Sequence, residues 1–127
     1  MLPADFQITD NRLVLAQWKQ TNMGDYHPMI AQRFISDTWY YTIDVAHNKT
    51  KCILPKLQLG KWYDFVFNMK FSHKATEGYF RAWHNNTLII DFKGKTTHDI
   101  GAAQIYSKLG MYRDGWNTTW IGYLDNY

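Results

Sequence analysis

The chain has 127 residues, 46% of them hydrophobic and 20% charged, a balance typical of a folded domain and not of a disordered chain. A formal net charge of +3 suits an anionic ligand but is too weak for a nucleic-acid binder, and no apolar run is long enough to cross a membrane. Cys52 stands alone, so no internal disulfide forms and the redox compartment stays open. Aromatic residues are the outlier at 17%, with six Trp and nine Tyr. Pleated sheets absorb part of that excess; the remainder suits a surface that stacks on something flat, such as sugar rings or bases.

The opening "MLPADFQITD" does not read as a signal peptide, and "LPADFQI" resembles the middle of an element more than its start, so further strands are expected upstream. From there the pattern is period two. Strands are predicted at "RLVLAQW" (12–18), "MIAQRFI" (29–35) and "WYYTIDV" (39–45). The clearest is "WYDFVFNMKF" (62–71). Its Tyr63, Phe65, Phe67, Met69 and Phe71 form an apolar side facing a core, while Trp62, Asp64, Val66, Asn68 and Lys70 form a mixed outer side. Further strands are predicted at "YFRAWH" (79–84), "TLIIDF" (87–92), "IYSKLGMYR" (105–113) and "TWIGYLD" (119–125). Short polar segments such as "NMGDYHP", "SD" and "RDGWN" supply turn chemistry, and Asn85-Asn86 between two apolar runs is a hairpin signal. "THDIGAAQ" offers at most one helical turn. The prediction is an all-β antiparallel sandwich, a jelly roll of concanavalin-like type, forming one domain over residues 1–127.

Three groups of residues have the chemistry of a site. In "LAQWKQ", Gln17 and Lys19 share one face of a strand, where an amide and an ammonium together bind and neutralise a carboxylate; an exposed polar strand end is the plainer reading. In "HPMIAQRF", Arg33 either clamps an acid bidentately or is an outward-facing charge. In "YSKLGMYR", alternation puts Lys108, Gly110 and Tyr112 on one face with bare backbone between the two long side chains. A cation beside a tyrosine favours its phenolate and suits it to proton transfer. Trp62, Tyr79 and Trp83 are the candidates for stacking on sugars. His27, His47, His73, His84 and His98 lack zinc-site spacing, and no Gly-x-Ser-x-Gly or phosphate-cradling glycine loop occurs. Three sequons, at Asn48, Asn85 and Asn117, matter only in a secreted eukaryotic protein.

Taken in order, "LPADFQITDNRLVLAQWKQ", "HPMIAQRF", "LGKWYDFVFNMKFSHKATEGYFRAWHNN", "YSKLGMYRD" and "YLDN" resemble the jelly-roll polysaccharide lyases, the heparin lyase I-like and glucuronan lyase-like enzymes. The resemblance spans nearly the whole chain and rests chiefly on the "GKWYDFVF" segment and the Tyr-x-Lys-x-Gly-x-Tyr strand. It implies β-elimination on a uronic-acid-containing polysaccharide, with Gln17 neutralising the carboxylate, Tyr112 as proton donor and base, Lys108 binding substrate and Arg33 holding the acidic sugar. Many relatives carry Gln-x-His where this chain has Gln17-Trp18-Lys19. Either Lys19 neutralises the carboxylate or Tyr112 makes both proton transfers. The resemblance also implies strands before "LPADF", hence an open sheet edge, and a monomer or a weak edge-mediated oligomer. No cofactor is expected, a structural Ca²⁺ being left open, and the partner is an acidic polysaccharide, with no nucleic acid and no membrane. Relatives are typically secreted or periplasmic. The alternative function is a non-catalytic carbohydrate-binding sandwich or an inactive remnant.

Overall fold

The computed structural model describes residues 1–21, 27–45, 48–98, 104–115, 117 and 119–125. Among them eight strands run in chain order: β1 (Leu13–Gln20), β2 (Ile30–Ile35), β3 (Thr38–Val45), β4 (Asn48–Ile53), β5 (Phe65–Lys70), β6 (Tyr79–His84), β7 (Thr87–Lys93) and β8 (Ile105–Arg113). β4-β3-β2-β1-β8 form one antiparallel sheet and β5-β6-β7 a second. After completing the smaller sheet the chain crosses back, and β8 joins the larger one beside β1. The fold is the antiparallel β-sandwich that the period-two pattern predicts.

Aromatic rings bind the two sheets together. Trp39 and Tyr41 on β3 and Trp18 on β1 reach inward from the larger sheet. Phe65 and Phe67 on β5 and Phe80 on β6 meet them from the smaller one. Trp39 meets Phe65 edge-on at 5.1 Å, Trp18 meets Phe67 the same way at 5.1 Å, and Tyr41 tilts against Phe80 at 5.5 Å. Such edge-to-face pairs add roughly 0.5–1.5 kcal/mol each to the gain from burial. The core side predicted for Tyr63, Phe65, Phe67, Met69 and Phe71 holds, for all five pack on the core, while Val66, Asn68 and Lys70 are exposed. Asn85 and Asn86 both adopt positive φ (45° and 64°) between paired His84 and Thr87, the two-residue turn whose twist matches its strands. At the far end of this sheet Gly78 has a structural reason. A Cβ there would stand 2.2 Å from the Gly94 carbonyl oxygen, so only glycine permits that approach.

One strand was not predicted, one predicted strand is absent, and the strand predicted at 62–71 narrows to Phe65–Lys70. β4, "NKTKCI", escapes the pattern because it is an edge strand with almost every side chain exposed, leaving no apolar period to read. Residues 119–125 form no strand. Trp120 instead plugs the core rim against Phe6 at 5.2 Å, and Tyr123 exchanges single hydrogen bonds with Met1 in place of a ladder. The turn read at "NMGDYHP" and the helical turn read at "THDIGAAQ" fall largely outside the described residues.

His84 closes the aromatic layer, stacked on Phe65 at 5.4 Å and tilted on Tyr63 at 4.6 Å. Burial pushes its pKa below the ordinary 6.5, and the nearby Asp64 carboxylate opposes that shift only in part. The unfolded chain therefore takes up this proton more readily than the folded one. The stability is complete above about 6.5 and is lost as pH falls through the lower folded value. Thermal midpoints at pH 7 and pH 5.5 will fall more steeply for the wild type than for His84→Phe. Trp39→Ala removes the ring shared by three neighbours, and denaturant unfolding will show a loss of roughly 3–5 kcal/mol.

Candidate functional site

The site is built on the outward face of the larger sheet, and a β-bulge decides what stands there. Strict alternation from Gln17 puts Leu15 and Leu13 on its face, yet Leu13 is fully buried in the core. Between Val14 and Ala16 both ladders slip: against β2 the additional residue is Leu15, which leans on the core, whereas against β8 it lies on β8, where Gly110 and Met111 stand opposite Leu15 alone. Val14 and Gln17, three positions apart, thereby face the same way. Across the β1–β8 ladder Gln17 pairs with Lys108, Val14 with Tyr112, and Lys19 with Tyr106.

Gln17, Lys108, Gly110 and Tyr112 consequently line one open depression with Val14. Tyr112 is 58% exposed, its phenol at the surface. Tyr41 is the opposite case, sealed in the core, where burial pushes its phenol well above the ordinary value and leaves it a packing residue. Lys108 holds its ammonium 5.5 Å from the Tyr106 ring centre, a cation–π contact on the same face. The bare backbone at Gly110 has a conformational cause. Its φ is +142°, whereas a Cβ would find nothing within 4 Å, so room is not what excludes a side chain.

Extending the registers through β2, β3 and β4 gives two rungs that cross the whole sheet. One reads Lys108, Gln17, Ala31, Thr42, Lys51; the next reads Tyr112, Val14, Arg33, Tyr40, Ile53. Arg33 is largely buried in the second rung, its Nε donating to Thr42 Oγ1 at 3.0 Å. Burial lowers its pKa and the Arg12 charge adds to that, against Tyr40, Asp44 and Asp114. No carboxylate among the described residues forms an ion pair with it. Within these ladders the outer face carries Lys19, Arg33, Lys49, Lys51 and Lys108 against one carboxylate, Asp44. That imbalance favours an anion with several charges.

Two of the three predicted stacking residues, Tyr79 and Trp83, do not join this face. Tyr79 and Trp83 alternate with the core residues Phe80 and Ala82 on β6, so they point outward from the smaller sheet, on the far side of the sandwich. Tyr79 is engaged there, its hydroxyl donating to Asn68 Oδ1 at 3.0 Å and its ring lying 5.4 Å from the Arg81 guanidinium. Trp62 is exposed in the segment before β5. Tyr79 and Trp83 therefore lie on a surface separate from that of Gln17 and Tyr112. Sequence reasoning missed Tyr40, Thr42 and the β4 lysines, whose signal becomes legible only once the register is known. Cys52 faces inward from β4, and burial pushes its thiol up. Among the described residues no group of three or more His, Cys, Asp or Glu side chains is placed to hold a metal ion.

A family model described as polysaccharide lyase matches residues 1–127. The fold is similar to that of an endo-β-1,4-glucuronan lyase from the fungus Trichoderma reesei, with a TM-score of 0.70 at 18% identity over 87% of this chain. The chain spans about half of that structure, 52% of its length. No curated protein sequence matches it.

Replacing Gly110 tests the cause assigned to it. Gly110→Ala will lower stability by roughly 1–3 kcal/mol in denaturant unfolding through backbone strain alone. A change below about 0.5 kcal/mol contradicts the conformational explanation.

Proposed function

We propose that this chain, which belongs to the polysaccharide lyase family, cleaves a uronic-acid-containing polysaccharide by β-elimination. The observation that supports this reading is the β1–β8 register, in which an amide, two ammonium groups and an exposed phenol share one cationic face. A uronate carboxylate binds there through Gln17 and the charges of Lys19 and Arg33. Neutralising it makes the C5 proton acidic, because the enolate that forms on its loss is held by the same donors. Tyr112 removes that proton. The C5–H electron pair becomes the C4=C5 double bond, the C4–O bond breaks, and the glycosidic oxygen leaves with its electrons and takes up a proton. With lysine at position 19 where many relatives carry a histidine, Tyr112 makes both transfers from one side of the ring. Lys108 binds the substrate through its charge.

The reaction is followed by the ultraviolet absorbance of the unsaturated uronate, with glucuronan, alginate and heparin each offered to the folded chain. Absorbance will rise with at least one polymer. Tyr112→Phe will slow it by about 10²–10⁴-fold, and Gln17→Ala by about 10²-fold or more, each with an unfolding midpoint close to that of the wild type. Silence with all three polymers rules out the lyase. Retention on an acidic-sugar column without product makes the same face a binding surface instead.

A further inference from the structure

The outer face continues past the elimination site. On β4 the alternation sends Thr50 and Cys52 inward and both lysines outward, to the face that carries Gln17 and Tyr112. Lys51 ends the rung that begins at Lys108, and its Nζ lies 4.1 Å over the centre of the Tyr40 ring. A lysine packed on an aromatic face keeps its ammonium at a defined place while its N–H groups stay available to an acceptor. Lys49 stands one position farther along the same face. Asp44 is across from it in the ladder, yet the two form no ion pair among the described residues.

Lysines on an edge strand also discourage pairing with another chain. That task needs charge at the edge. It does not need the ammonium seated on Tyr40, nor both lysines aimed at one face in line with Gln17 and Lys108. We propose that Tyr40, Lys49 and Lys51 form a distal subsite for a second carboxylate of the same linear polyuronate. This rests on the functional reading above. Four inter-strand spacings of roughly 4.8 Å separate β8 from β4, about 19 Å in all. A ligand that reaches both ends crosses the strands and is several sugars long. Once one end is bound the other binds at high effective concentration, so affinity grows with chain length.

Calorimetric titration with a β-1,4-linked glucuronate disaccharide and octasaccharide tests this. The wild type will bind the octasaccharide more tightly than the disaccharide. The double variant Lys49→Ala/Lys51→Ala will lose about tenfold in octasaccharide affinity with disaccharide binding unchanged, whereas Lys108→Ala weakens both. Arginine at positions 49 and 51 keeps the charge and will keep octasaccharide affinity, which separates loss of the subsite from damage to β4. Equal octasaccharide binding by the wild type and the double alanine variant overturns the subsite alone. Binding of neither oligosaccharide by the wild type also overturns the subsite, while the functional reading falls only with silence in the absorbance assay on all three polymers.

Discussion

Contact between the aromatic layers of two unequal sheets is the constraint on which the rest depends. Trp18, Trp39 and Tyr41 can bury their rings only if their strands turn them all the same way, and Phe65, Phe67 and Phe80 impose that requirement from the smaller sheet. Because side chains alternate, the inward set determines the outward one. Burying Trp39 and Tyr41 turns Tyr40 and Thr42 out, and burying Ile30, Gln32 and Phe34 turns Ala31 and Arg33 out. The layer is held at some cost, since Trp39 Nε1 and Tyr41 Oη are buried with no hydrogen-bond partner among the described residues. The polar face is thus a consequence of the apolar one.

At β1 that rule meets a conflict, which the bulge resolves. Leu13 and Trp18 both belong to the core, but five positions separate them, and an odd spacing sends them to opposite faces of a regular strand. The additional residue, Leu15, corrects the parity. It leaves Val14 and Gln17 outward together and so brings the amide and the Tyr112 phenol to one surface. On the opposing strand Gly110 takes a backbone conformation that other residues rarely adopt. Both irregularities lie beside the depression, where bulges and unusual φ values gather in sheets that carry sites.

Much of this was legible in the chain. The alternation of residues 63–71, the Asn85-Asn86 turn and the strands at 79–84, 87–92 and 105–113 need only local periodicity, and the structure reproduces them closely. What was not legible depends on partners distant in sequence. β4 carries no apolar period because it is paired on one side only. Residues 119–125 look like a strand because Trp120 and its neighbours are aromatic and branched, yet no strand offers them a ladder. Tyr79 and Trp83 looked suited to a sugar groove by composition, and the face they occupy follows from the burial of Phe80 and Ala82. The pairing of Gln17 with Lys108 spans most of the chain, and no window of sequence contains it.

The alignment of rungs across five strands has a consequence for evolution. The separation of successive columns of side chains is set by main-chain hydrogen bonds, whose pitch hardly varies between sequences. Exchanging a residue on this surface therefore changes what one mark on the ruler says but not where the mark lies. Such a sheet can change its outward chemistry while the spacing of its columns stays the same.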